Sequence, residues 1–350
     1  MTDQPIDMRS DAVTQPTEAM WAAMRRAAPG WAPAGDDPAV RELEAYAAEL
    51  AGKAAALFAP TGTMANLAAL MATVERGDQV LLEASSHILW SEEWGLAYIC
   101  GAVPRALPSA DGCPDPELVR AAIVERRFSH RPRTALLCLE NSHNVAGGAA
   151  IPARRIAAAA EAARAHGVPA HLDGARLMNA AVALGEPPAA LAAPVASLTL
   201  GVSKGLGAPY GALLVGPAAL VARARVALRR LGGHSVPNAG PLAAAALVAL
   251  RDMPPQLARD HGRARALAAG LAALPGLALD PAGPQTNIVM ARVAAPGLDA
   301  PELLRRLAAR GVFAVTLTDE VLRFVTHRHI GDAEVARAVD AVREALREGA

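Results

Sequence analysis

Three apolar runs in the middle of the chain stop abruptly at polar residues, and this pattern constrains the fold more than any other feature. Residues 134–139, 168–172 and 196–202 read as buried strands, short and aliphatic and bounded by charge or glycine. Between the first two, residues 152–166 form an alanine-rich stretch that Gly167 closes, the expected shape of a helix. Strands alternating with helices build a mostly parallel sheet covered on its faces, an α/β fold. The strands end in Glu140-Asn141-Ser142-His143, in Asp173-Gly174-Ala175-Arg176 and in Ser203-Lys204-Gly205. Ligands of open parallel sheets collect beyond the carboxyl ends of the strands. These stretches are therefore where chemistry is expected.

At 350 residues the chain is longer than one core usually fills, since single cores stop growing at about 250–300 residues. From about Pro254 the texture changes to arginine-rich helical segments and short strands such as 287–290 and 322–325. The expected division is a large unit over 1–252 and a smaller α/β unit over 253–350. Lys plus Arg number 34 and so do Asp plus Glu. With no net field to attract nucleic acid or an anionic membrane surface, a small-molecule substrate is expected. Hydrophobic residues make up 53% of the chain, yet no apolar run reaches the roughly 18–20 residues a bilayer span needs. Residues 1–7 include an early Asp3 and no apolar stretch, which does not read as a secretory signal and points to a cytoplasmic location. Cys100, Cys113 and Cys138 are spaced for neither a disulfide framework nor a zinc site, and no other metal-ligand cluster stands out.

Lys204 follows a strand inside the glycine-rich turn Ser203-Lys204-Gly205-Leu206-Gly207. A Schiff-base lysine needs such a place, because it must reach a carbonyl and lose its proton, and small neighbours let a cofactor approach the backbone. On its own the segment reads better as a solvated surface lysine, and only the other motifs reverse that reading. Asp173 stands at the preceding strand end, where a carboxylate can pair with a pyridinium nitrogen, and Arg176 carries a planar fork suited to a ring hydroxyl or a carboxylate. The bland alternative is an Asp-Gly turn beside a structural arginine. Pro60-Thr61-Gly62-Thr63 follows a strand-like segment and opens a helix expected over 64–74, offering free amides to a phosphate, although Thr-Gly-Thr is also a plain capping turn. His87 could stack on a flat heteroaromatic ring, while a lone histidine is more often structural.

Taken together the motifs resemble the L-threonine aldolase family of fold type I pyridoxal phosphate (PLP) enzymes. The likeness runs in one order from near Asp7 to near Val342. Its most specific stretches are Met8-Arg9-Ser10-Asp11, Gly35-Asp36-Asp37-Pro38, Pro60 to Leu67, Leu139 to Asn144, His171 to Arg176, Ser203 to Gly207 and Leu322 to His327. The resemblance implies that Gly62, Thr63 and Ser203 lie at the cofactor, that His87 stacks on its ring, that Asp173 meets the ring nitrogen and that Lys204 forms the Schiff base. It implies further that Ser10, Arg176 and Arg323 grip the amino acid's carboxylate, and that His130 lies near the substrate hydroxyl. The implied reaction is retro-aldol cleavage of an L-3-hydroxy-α-amino acid to glycine and an aldehyde, with His87 as first candidate base and His130 or a water as alternatives. The family's habit implies a homo-oligomer, a dimer or a homotetramer.

Three stretches depart from the family pattern. Ala34 stands where a tyrosine is frequent, Gly232 to Asn238 lacks the usual arginine, and Trp90-Ser91-Glu92-Glu93-Trp94 follows His87 where substrate side chains could be sensed. Rival expectations are another PLP reaction at Cα, such as β-elimination, racemisation or transamination, and a silent relative acting as a binding subunit. The second is disfavoured because both Lys204 and Asp173 are present. A nicotinamide enzyme would need a Gly-x-Gly-x-x-Gly turn after its first strand, and the chain has none so placed.

Overall fold

A computed structural model describes residues 5–125, 131–234 and 236–348. In chain order its strands are β1 (Ile6–Asp7), β2 (Ala55–Ala59), β3 (Gln79–Glu83), β4 (Val103–Leu107), β5 (Thr134–Glu140), β6 (Ala170–Gly174), β7 (Ser197–Gly201), β8 (Ala212–Gly216), β9 (Leu277–Ala278), β10 (Ile288–Val293), β11 (Val312–Phe313), β12 (Val315–Thr316) and β13 (Val321–Val325). Seven of them make one sheet in the order β2-β8-β7-β6-β5-β3-β4. Neighbours from β4 through β7 are parallel, and only β8 runs against both its neighbours. Every residue of β3, β5, β6 and β8 is buried, as a sheet covered on both faces requires. The mostly parallel α/β sheet expected from the apolar runs is therefore present.

The differences from expectation lie at element ends. The helix foreseen over 152–166 is Ala153–Arg164, with Pro152 at its N-cap. Its exit is a capping turn in which Gly167 takes a left-handed φ of 73° and Val168 N–H donates to Ala163 O at 3.1 Å. Val168 is thereby used in the cap, and the strand begins at Ala170. The helix foreseen over 64–74 starts earlier, at Gly62–Thr73, because the Thr61 hydroxyl caps Met64 N–H at 3.1 Å.

The C-terminal region has its own four-stranded antiparallel sheet, β12-β13-β10-β9, and β11 pairs in parallel with the N-terminal β1. Phe324, Val289, Leu303 and Val342 form a second apolar cluster there, and Ile6 and Met8 belong to it. The helix Pro254–Ala272 bridges the two cores: Leu257 packs into the first, while Leu267 and Leu271 pack into the second. All three cysteines are free and buried, and burial pushes the thiols of Cys100 and Cys113 up to about 11. Among the described residues no helix is long and apolar enough to cross a membrane.

Asp260, on the bridging helix, makes one short-range contact, Gln256 Nε2 to its Oδ1 at 3.0 Å, and its other oxygen is buried without a partner. Burial outweighs that hydrogen bond and pushes the carboxyl up to about 6. A raised carboxyl favours the folded state fully at acid pH and loses that contribution as pH rises through the folded value. Asp260→Asn should therefore gain stability relative to the parent by up to about 3 kcal/mol between pH 4 and pH 8. Urea denaturation across that range checks it. A difference that stays constant with pH would refute it.

Candidate active site

The ends of β6 and β7 approach so closely that glycine is required on both. A methyl on Gly174 would sit 2.3 Å from Thr199 O, and one on Gly201 would sit 2.3 Å from Ala175 O. Backbone oxygens cannot move aside as side chains can. This approach sets Asp173 and Lys204 on one cavity of about 330 Å³, also lined by Gly62, Thr63, Asn66, His87, Glu92, Ser203 and Tyr210. Six residues singled out from sequence, Gly62, Thr63, His87, Asp173, Ser203 and Lys204, are thus brought together.

Each is held by its neighbours. Thr61 caps the helix Gly62–Thr73, so Gly62 and Thr63, whose first-turn amides have no partner within the helix, line the cavity at the helix's positive end. Asp173 Oδ1 accepts Ala175 N–H at 3.0 Å, and its Oδ2 accepts Asn66 Nδ2 at 3.0 Å. The same Asn66 nitrogen donates to Glu92 Oε1 at 2.9 Å. Two carboxylate acceptors fix the amide's orientation, which turns Asn66 Oδ1 toward Thr199 Oγ1 at 2.6 Å and His171 Nε2 at 3.2 Å. Burial lowers His171 to about 4, so its ring is neutral and donates from Nε2. Glu140 at the end of β5 accepts His87 N–H at 2.8 Å on one oxygen and Asn144 N–H at 2.8 Å on the other.

Lys204 Nζ has no hydrogen-bond or ion-pair partner among the described residues, and its backbone carbonyl is pinned by Thr14 Oγ1 and Gly207 N–H, both at 2.8 Å. Burial and the nearby Arg176 charge depress its ammonium, against the pull of Asp11, Asp173 and Glu140. A lysine so placed gives up its proton more readily than one in water.

Ser10, Arg176 and Arg323 stand beside this cavity rather than in its wall. Arg176 is buried and forked onto Asp11, Nε to Oδ2 at 2.9 Å and Nη2 to Oδ1 at 2.8 Å. Its remaining Nη1 reaches Asn144 Oδ1 at 3.4 Å, and Arg323 Nη1 meets the same oxygen at 2.9 Å. Two guanidinium groups converge on one amide oxygen, and Arg323 Nε is buried without a partner. The Ser10 hydroxyl caps the short turn at Asp11–Val13 by accepting Ala12 N–H at 3.1 Å. His130 lies outside the described residues. Sequence reasoning missed Asn66, Asn144, Glu140 and the Asp11 partner of Arg176. Asn66 did carry a signal, because an asparagine set in the apolar run Ala65, Leu67, Ala68 and Leu70 is a polar group that needs partners once buried, and in the fold it is 1% exposed.

A sheet of this order, with a lysine after one strand, a carboxylate ending its neighbour and a capped helix facing both, is the framework of the fold type I PLP enzymes. Its overall course matches the Leishmania major threonine aldolase structure with a TM-score of 0.81, at 21% identity, over 98% of this chain and 100% of that one. The beta-eliminating lyase family model matches residues 7–296. Low-specificity L-threonine aldolase 1 of Arabidopsis thaliana is 37% identical, covering 99% of this chain and 98% of its own. The low specificity L-threonine aldolase of Escherichia coli K12 is 37% identical over 95% and 96%. The chain belongs to the beta-eliminating lyase family, in its L-threonine aldolase branch.

Proposed function

We propose that this protein cleaves L-3-hydroxy-α-amino acids of the L-threonine and L-allo-threonine type to glycine and an aldehyde, with PLP as cofactor. The observation that carries the reading is Lys204 Nζ, without a partner among the described residues, in one cavity with Asp173 and His87. The residues suit the cofactor. The cavity falls in the range of small-molecule sites, about 300–1,000 Å³, and it combines a carboxylate, a lysine whose ammonium is disfavoured and helix-end amides. Lys204 would carry the cofactor's aldehyde carbon, Asp173 would hold its ring nitrogen, Gly62, Thr63 and Ser203 its phosphate, and His87 its ring face. When bound, the cofactor supplies an electron sink for the carbanion left on Cα.

The chain's own residues do the rest. Arg323 and the free edge of Arg176, with Ser10, take the substrate carboxylate, whose charge relieves the repulsion between a buried and a half-buried guanidinium meeting at Asn144. His87 removes the β-hydroxyl proton onto Nε2, the ring nitrogen with no partner among the described residues, and His130 is the second candidate for that proton. We propose further that the small unit spans 253–350, that the protein is a cytoplasmic homo-oligomer, a dimer or homotetramer, and that it takes a small amino acid rather than nucleic acid or membrane. The test is release of glycine and aldehyde from L-threonine, L-allo-threonine and L-phenylserine by the PLP-loaded protein. Failure on all three, with the cofactor bound, would move the reading to β-elimination, racemisation or transamination.

A further inference from the structure

His87 opens a four-residue helical turn, His87–Trp90, and five residues on from His87 the Glu92 carboxylate meets the imidazole edge. Glu92 Oε1 is 3.2 Å from His87 Nδ1, and its side chain is almost wholly buried. The following turn holds two consecutive non-glycine residues in the left-handed region, Glu93 at φ 50° and Trp94 at φ 58°. That conformation costs roughly 1–2 kcal/mol per residue, and backbone held this way near a site is a reason to look for what it positions. Trp90 and Trp94 brace the turn edge to face, with centroids 4.8 Å apart, and Trp90 Nε1 donates to Ala84 O at 2.6 Å. Burying a carboxylate whose Oε2 has no partner also costs free energy. Among the described residues its one ion-pair partner is His87.

We propose that Glu92 is a positioning residue for His87: its carboxylate accepts the Nδ1 proton, fixes the ring's tautomer and orientation, and so leaves Nε2 as the basic nitrogen presented to the cavity. The choice of tautomer follows because a histidine nitrogen's state is set by the hydrogen bond made by the other. Asp173 does not take this role, since its Oδ2 is 4.0 Å from Nδ1 and it already accepts from Ala175 and Asn66. Around His87 the charged groups are Glu92 from its own turn, Asp173 from β6, Lys204 after β7, and Glu140 from β5 at the His87 backbone; Asn66, from the helix Gly62–Thr73, is neutral. Burial would lower the ring's proton affinity, but the Glu92 hydrogen bond and the Asp173 and Glu92 charges outweigh it and raise it. Glu92 is raised too, by its own burial and by Asp173, against the His87 contact, so the pair shares protons rather than holding two independent charges.

The inference rests on His87 as the base, and its test separates the two ideas. Full-length protein labelled at histidine carbon and nitrogen is followed by NMR, with and without PLP, and the His87 signal is identified by its loss in His87→Asn. The neutral ring should carry its proton on Nδ1, and in Glu92→Gln its proton affinity should fall about tenfold or more, one pKa unit. Glu92→Asp should recover part of the loss. An Nε2-protonated neutral ring in the parent, or an unchanged titration in Glu92→Gln, would overturn the proposal. The tautomer is read on the parent protein alone, so it stands even if Glu92→Gln does not fold. In the cleavage assay the acid limb of the rate profile should move to lower pH in Glu92→Gln. An unmoved limb beside a shifted titration supports the pairing and removes His87 as the base.

Discussion

Lys204→Ala should abolish both the visible absorbance of the PLP-loaded protein and its cleavage of L-threonine, with kcat/KM reduced by about 10³-fold or more, roughly 4 kcal/mol of transition-state stabilisation. Its fold should survive. The Nζ it removes has no partner among the described residues, and the backbone contacts that shape the turn, from Thr14 Oγ1 and Gly207 N–H, do not involve the side chain. Removing an ammonium that its partly buried surroundings and the Arg176 charge disfavour should leave cofactor-free Lys204→Ala as stable as the parent or slightly more so. The checks are an absorbance spectrum, an aldehyde assay and a thermal melt without PLP. A variant that keeps colour and cleavage would remove Lys204 from the chemistry. One that loses both but also melts far lower would mean the turn, not the amine, was disrupted.

Lys204 and Asp173 were legible as strand-end residues because an aliphatic run broken by a polar residue marks a buried strand and its end, whereas only the other motifs, taken together, set them apart from a solvated lysine and a plain Asp-Gly turn. The same local rule places Gly62 and Thr63, since a strand followed by Thr-Gly-Thr and an apolar helix is a capped helix start. What the sequence hid is contact between distant segments. Asn66 lies on the helix after β2, yet its amide joins Asp173 of β6, Glu92 of the turn after β3 and Thr199 of β7. Arg176 is equally informative. As an arginine after a strand it was open to binding a ring hydroxyl or a carboxylate, and only the structure shows Asp11 occupying most of its fork. The pairing of β1 with β11 was out of reach for the same reason: two-residue strands have no period, and their partner is chosen by the second core into which Ile6 and Met8 pack.

Asp11→Ala should destabilise the cofactor-free protein by about 3–5 kcal/mol, the range for leaving one member of a buried ion pair uncompensated. Arg176 and Asp11 are both buried, with side-chain exposures of 5% and 0%, and their fork is bidentate. Asp11 also accepts from Asn287 Nδ2 at 3.0 Å, just before β10, so one carboxylate ties the N-terminal segment, the end of β6 and the C-terminal region together. Burial works to raise this carboxyl, but the Arg176 charge and hydrogen bonds outweigh it and hold the group well below the usual carboxylate range. A depressed carboxyl contributes fully above its unfolded value, near 3.9, and the contribution fades as pH falls toward the folded one. The gap between parent and Asp11→Ala should therefore be constant from pH 5 to 8 and narrow below about pH 4. Asp11→Leu with Arg176→Met should cost less than the sum of its single variants, because the pair is then removed together. A gap under about 1 kcal/mol at pH 7 would show that water or a rotated Arg176 compensates the loss. The full loss, with a raised KM wherever activity survives, would show both that Arg176 serves the substrate carboxylate, as proposed, and that Asp11 holds it in place.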